Sequence, residues 1–221
     1  MSLETLPTRR FAAFLFDMDG TIISSIASAE RAWTRWAQGH GLDVATFLPT
    51  IHGVRSVDTI RRLGLPGVDP EAEAAAITQA EIEDVGDIAE IPGAQTFLRA
   101  LPAERWAIVT SAPRQLALRR LEAAAMPVPA VLVAAEDIDR GKPAPDCFLL
   151  GAKRLGVAAA DCLVFEDAPA GIKAGEAAGA SVVVVTATHH GPIETRHATI
   201  PDYRALTVDA GPDGLRIVGI R

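Results

Sequence analysis

Apolar residues fall along this chain in short unbroken runs. Residues 11–16, 106–109, 131–135, 162–165 and 181–185 are dominated by Val, Ile, Leu, Phe and Ala, with little polar alternation. Runs this short and this apolar predict strands buried on both faces of a parallel sheet. Helical spacing fills the intervals. Residues 115–125 place Leu116, Leu118, Leu121 and Ala125 on one stripe, and residues 170–178 are similar. Strand alternating with helix predicts an α/β fold: a doubly wound parallel sheet with a Rossmann-like core.

One interval breaks the rhythm. From Ser24 to Glu90 no buried strand is evident, and the stretch is too long for a loop inside a compact domain. Helical patterns cover residues 27–38, 57–63 and 70–85, punctuated by Gly39, Gly41, Gly53, Gly64 and Gly67. The expected organisation is a core domain of residues 1–23 and 91–221, with a helical cap domain of residues 24–90 inserted after the first strand. Trp33 and Trp36, three apart on the first inserted helix, are expected in the cap's core rather than stacked on a ligand.

Composition narrows the function classes. The chain has 221 residues, 49% of them hydrophobic and 22% charged, so disorder of the whole is excluded. A net charge of −7 without a basic run argues against nucleic acid or an anionic membrane as partner. No apolar run is long enough to span a bilayer, and the N-terminal residues lack the pattern of a signal peptide. Cys147 and Cys162 make neither a disulfide framework nor a metal quartet. A cytoplasmic protein is expected, and a monomer is favoured.

The chemistry gathers at the ends of the runs, where open parallel sheets bind their ligands. The first ends in Asp17-Met18-Asp19-Gly20-Thr21. Two carboxylates this close raise each other's pKa, which a bound divalent cation or a shared proton would offset. The second ends in Thr110-Ser111, just before a helix, where free amides suit a phosphate but a simple N-cap looks the same. After the third comes Gly141-Lys142-Pro143, a cation in a stiffened loop. The fourth ends in Glu166-Asp167, a second acidic pair completing an oxygen-rich set for a hard cation such as Mg²⁺. Four carboxylates against one lysine would repel a phosphate ester unless a cation were present.

In order and position, Asp17–Thr21, Thr110-Ser111, Gly141-Lys142-Pro143 and the segment from Phe165 to Gly171 resemble the motifs of the haloacid dehalogenase-like hydrolase superfamily. His52-Gly53-Val54-Arg55 and residues 166–172 look most like its glycerol-phosphate and 2-deoxyglucose-6-phosphate phosphatase branch. The resemblance implies a Mg²⁺-dependent phosphatase acting on small sugar or polyol phosphate monoesters through an aspartyl-phosphate. Asp17 would be the nucleophile and Asp19 the acid and base. Thr110, Ser111 and Lys142 would hold the phosphoryl oxygens. Asp17, the main-chain carbonyl of Asp19, Glu166 and Asp167 would hold the metal, Glu166 directly or through water. His52, Gly53 and Arg55 would touch the substrate from the cap. Ser24-Ser25 stands where an acidic residue is frequent, which leaves hydroxyl contacts there open. His189-His190 reads as a solvated loop near the site.

Four rivals share parts of the pattern, one of them a catalytically dead binding protein that keeps the fold, against which the intact catalytic positions argue. A haloacid dehalogenase proper has no use for Asp19. A sugar phosphomutase of the β-phosphoglucomutase type carries a His where this chain has Ala29. A non-enzymatic phosphoacceptor switch of the receiver type has its acidic pair ahead of the acceptor strand and no inserted cap.

Overall fold

The computed structural model of the chain describes residues 6–189, 191 and 193–219. The first apolar run forms β1 (Ala13–Phe16), fully buried from end to end. The chain passes through β2 (Ile23–Ser24) into four helices, α1 (Ile26–Gly39), α2 (Val44–Phe47), α3 (Ser56–Leu63) and α4 (Pro70–Glu83), and returns through β3 (Ala89–Glu90). Then come α5 (Ala94–Arg99), β4 (Trp106–Val109), α6 (Arg114–Ala123), β5 (Val131–Val133), α7 (Asp146–Arg154), β6 (Cys162–Glu166), α8 (Pro169–Ala177), β7 (Ser181–Val185) and β8 (Ala198–Ile200). A hairpin of β9 (Leu206–Gly211) and β10 (Gly214–Gly219) is last.

Six strands make one parallel sheet in the order β5-β4-β1-β6-β7-β8. This is the doubly wound sheet that the alternation of runs predicts. β4 flanks β1 on one side and β6 on the other, so the winding reverses at β1 and a crevice opens at the carboxyl ends of these strands. The topology alone therefore brings residues 17–21, 110–111 and 166–167 to one edge.

Successive side chains of each strand point to opposite faces, and both faces are covered. Phe14, Phe16, Ile108, Leu163 and Phe165 pack with Phe97 and Leu98 of α5 and Leu116 and Leu121 of α6. Leu15, Val109, Val133 and Val164 pack with Phe148 and Ala152 of α7 and Ile172 and Ala174 of α8. Phe16 and Phe165 stack with ring centroids 4.5 Å apart directly beneath the first aspartate.

The helices of residues 26–83 have their own apolar cluster, built from Trp33, Trp36, Phe47, Ile51, Ile60 and Ile77. Both tryptophans sit in it, as their spacing predicts. The Asp69 carboxylate accepts the Glu71 and Ala72 N–H groups, and Pro70 opens α4 where its missing N–H costs nothing. The two ends of this segment meet in a short antiparallel ladder, Ile23 with Glu90 and Ser24 with Ala89.

Three departures from the sequence reading have local causes. β1 starts at Ala13 because Phe11 pairs instead with Leu215 of β10. The third run ends at Val133 because the Ala134 N–H donates to the Asp137 carboxylate at the start of a 3-10 turn. β8, β9 and β10 lie beyond the last expected strand; in the hairpin, buried Leu206, Leu215 and Ile217 alternate with polar neighbours. Among the described residues, no helix is long and apolar enough to cross a membrane.

Candidate active site

β1 ends by handing Asp17 into the crevice, its N–H donating to the Phe165 carbonyl of β6 at 2.9 Å. Asp17, Glu166 and Asp167 each offer one carboxylate oxygen within 4.8 Å of the others, and all three are buried. Lys142 reaches them from the loop after β5. Its Nζ donates to Asp17 Oδ1 at 2.5 Å, to Glu166 Oε1 at 2.7 Å and to the Val109 carbonyl at 3.2 Å. Glu166 Oε2 accepts the N–H groups of Asp167 and Ala168 at 2.8 and 2.9 Å, which fastens it to the start of α8. Asp167 Oδ1 accepts the Thr21 hydroxyl at 3.1 Å.

Two glycines make room for this. Gly20 has φ +87°, and a Cβ on it would collide with the Asp167 carboxylate. A Cβ on Gly171 would overlap the Glu166 carboxylate. Neither position tolerates a side chain without moving an acidic residue.

The electrostatics are unbalanced. Burial, and then the Glu166 charge, push the Asp17 carboxyl up to about 7 against the pull of Lys142. Burial, Glu166 and Asp17 likewise hold Asp167 well above the usual carboxylate range. Burial works against the Lys142 charge, but Asp17 and Glu166 outweigh it and keep the ammonium above its ordinary value. Three buried carboxylates thus share one ammonium. Among the described residues, Asp17 Oδ2 and Asp167 Oδ2 accept no hydrogen bond, whereas both Glu166 oxygens are engaged. Free, buried, anionic oxygens are the donor set a hard divalent cation takes, so the residues fit Mg²⁺.

Asp19 stands beside this group but outside it. Its Oδ1 accepts the Ser25 hydroxyl at 2.5 Å and Arg120 Nη1 at 2.8 Å. The three acidic side chains expected at the metal come together, and the Asp19 carboxylate, expected to act as acid and base, is held beside them by Ser25 and Arg120. Thr110 is buried, its Oγ1 accepting the Ala112 N–H at 3.0 Å, and Ser111 donates to the Gly53 carbonyl at 3.0 Å. Asp17, Asp19, Thr110, Ser111, His52 and Gly53 line one cavity of about 80 Å³; Lys142 sits behind Asp17 and outside its wall.

Arg55 differs from the expectation. Its guanidinium pairs with Asp58 and donates to the carbonyls of Ile138 at 2.9 Å and Asp139 at 2.8 Å, away from the cavity. Two carbonyls at a loop end and the Asp58 carboxylate hold a guanidinium well, and their convergence is invisible in one sequence. His189 is also not free in solvent: its Nε2 lies 3.0 Å from the Asp167 carbonyl. His190 lies outside the described residues.

Two residues of the cavity wall escape the sequence reading. Arg120 of α6 and Glu81 of α4 are each only 4% exposed. Their signal is a charge on an apolar helical face, Arg120 four after Leu116 and Glu81 four after Ile77. Burial pushes the Glu81 carboxyl up to about 7, opposed by Arg120 and aided by Asp19. A raised acid is stabilising while protonated; that stability is complete below its ordinary 4.5 and is lost as pH rises through about 7. In urea unfolding, the stability of E81Q relative to the wild type should therefore climb between pH 4.5 and 7, by on the order of 3 kcal/mol. A flat difference would mean that Glu81 ionises as freely in the fold as outside it.

A doubly wound sheet with buried carboxylates at its switch point and a helical insert after β1 defines an α/β protein with an acidic site at its carboxyl edge. A family model, haloacid dehalogenase-like hydrolase, matches residues 11–179, and the chain belongs to that family. It is 39% identical over 210 residues to hexitol phosphatase A of Escherichia coli, covering 93% of this chain and 97% of that one. It is 33% identical over 196 residues to 2-deoxyglucose-6-phosphate phosphatase 1 of Saccharomyces cerevisiae, covering 79% and 80%. A hydrolase from Pseudomonas syringae superposes with a TM-score of 0.74 at 26% identity, over 82% of this chain and 87% of that one. The chain is a phosphoric monoester hydrolase.

Proposed function

We propose that this chain is a Mg²⁺-dependent phosphatase of small sugar or polyol phosphates, working through an aspartyl-phosphate on Asp17. The observation that carries the reading is the gathering of Asp17, Glu166 and Asp167 within 4.8 Å at the carboxyl edge of β1 and β6. Relatives named for hexitol and 2-deoxyglucose-6-phosphate hydrolysis support the substrate class.

Asp17, Asp167 and the main-chain carbonyl of Asp19 would hold the cation. Glu166, with both oxygens engaged, would contact it through water. Bound there, Mg²⁺ would neutralise the carboxylates and polarise the phosphoryl group. Asp17 attacks phosphorus and the alkoxide leaves with a proton from Asp19. Asp19 then takes a proton from water, which attacks the aspartyl-phosphate and regenerates Asp17. Thr110 and Ser111 orient the phosphoryl oxygens, and Lys142 fixes Asp17 from behind. Residues 24–90 form the cap, and residues 1–23 with 91–221 the core. The cap excludes water when seated, with His52 and Gly53 at its rim. Arg55 pins the cap loop to the loop of residues 135–139 rather than touching substrate. The phosphomutase alternative is disfavoured because Ala29, which faces the cavity, has no imidazole.

The test is a panel of glycerol, 2-deoxyglucose, glucose, fructose, mannitol and glycolate phosphates, with and without Mg²⁺. Phosphate release should fall at least ~100-fold in EDTA and return with Mg²⁺. Equal turnover in EDTA would remove the metal from the reaction. Glucose 1-phosphate should give glucose and phosphate; an isomerised phosphate would favour the mutase.

A further inference from the structure

The cavity has a second polar wall that the reaction above does not use. Arg120 comes from the core and Glu81 from the inserted helices, and both face the space beside Asp19. Arg120 spends Nη1 on Asp19, yet its Nε and Nη2 are buried without a hydrogen-bond partner. Nη2 stands 3.3 Å from Glu81 Oε1, close enough for ionic attraction but not aligned as a hydrogen bond. Buried guanidinium N–H groups are normally satisfied, so orphans on a cavity wall call for an acceptor that arrives from outside.

We propose that Glu81 and Arg120 form a hydroxyl-reading pocket that makes this chain selective for phosphate esters with hydroxyls next to the ester over esters with bare alkyl groups. The inference rests on the phosphatase reading and specifies its substrate. A hydroxyl both donates and accepts, so one group can accept a hydrogen bond from an Arg120 N–H and donate its O–H to a Glu81 oxygen. A methylene does neither and leaves both charges unmet. A second anion would suit Arg120 alone and be repelled by Glu81 and Asp19, which disfavours bisphosphates and carboxylated esters. Arg120 grips the same Asp19 oxygen that accepts from Ser25, so the pocket lies on the leaving-group side. The hydroxyls read are those on carbons next to the ester. Trp33 supplies an apolar wall for the carbon chain between them. The pocket is complete only when the inserted helices are seated, because its acid and its base come from opposite sides of the cavity.

The experiment compares kcat/KM for mannitol 1-phosphate, glycerol 1-phosphate, propyl phosphate, phosphoglycolate and p-nitrophenyl phosphate in Mg²⁺. The wild type should favour mannitol 1-phosphate over propyl phosphate by at least ~100-fold, and over phosphoglycolate as well. E81Q should lower the mannitol-to-propyl ratio at least ~10-fold, and R120K should do the same, because its point charge cannot serve both partners. Equal use of propyl and mannitol phosphates by the wild type would overturn the pocket, and so would a parallel loss on all esters in both variants. The wild-type comparison needs no variant, so it stands even if a substitution prevents folding. Phosphate release from none of the esters, the aryl ester included, would instead overturn the phosphatase reading and the pocket with it.

Discussion

Asp17→Asn should leave a folded protein with turnover reduced by ~10⁴-fold or more. An amide of the same shape fits the same space, but it is a far weaker nucleophile and cannot carry the phosphoryl group between the two half-reactions. A loss of 10⁴ corresponds to ~5.5 kcal/mol of transition-state stabilisation. Folding should not suffer in proportion. The wild-type carboxyl is already pushed up to about 7 by burial and by Glu166, so a neutral group relieves part of that cost. Thermal unfolding without metal should show the D17N protein as stable as the wild type, or more so. The two measurements separate the roles: activity within tenfold of wild type would mean that another residue attacks phosphorus, and a large fall in melting temperature would mean that Asp17 is structural.

Lys142→Met should do the reverse, harming stability and activity together. Lys142 is 2% exposed, and its ammonium touches two carboxylates and a carbonyl. Removing one member of a buried ionic set costs ~3–5 kcal/mol, because the remaining charges stay desolvated. The penalty should depend on pH. Without the ammonium the Asp17 and Asp167 carboxyls, already raised by burial and lowered by Lys142, rise further above their unfolded values, so stability is kept at low pH and lost as pH rises through those raised values. The gap from wild type should be widest at neutral pH and narrow toward pH 4. Millimolar Mg²⁺ should recover part of it by binding the folded state alone. Urea unfolding at three pH values, with and without Mg²⁺, reads all of this; a gap independent of pH would point to lost packing rather than lost charge.

The legible residues are those tied to a strand end. A buried apolar run fixes where its last residue emerges, and the parallel order then brings residues 17, 110 and 166 together whatever the loops do. Helical residues are harder, because a stripe can be read one position off. Leu118 is expected inside and is 40% exposed, while Arg120, two residues on, is buried. A charge on an apolar face reads as an error in the stripe unless a partner is known, and Glu81 lies on another domain-sized segment of the chain. Arg55 shows the opposite difficulty: a cation near a glycine suggests a ligand, but the carbonyls that claim it come from residues 138 and 139. Short edge elements such as β8 carry too few residues for periodicity to register.

The two-residue ladder between β2 and β3 has a consequence for how such a chain diversifies. Both crossings into the inserted helices leave from one spot, and the Ile91 N–H donates to the Ile22 carbonyl at 2.9 Å just beneath it. An insert whose ends already meet demands no closure of the sheet around it, so its length and contents are free to vary. The helices therefore behave as a cassette: a different bundle grafted at that point would inherit the same chemistry while presenting a new selectivity.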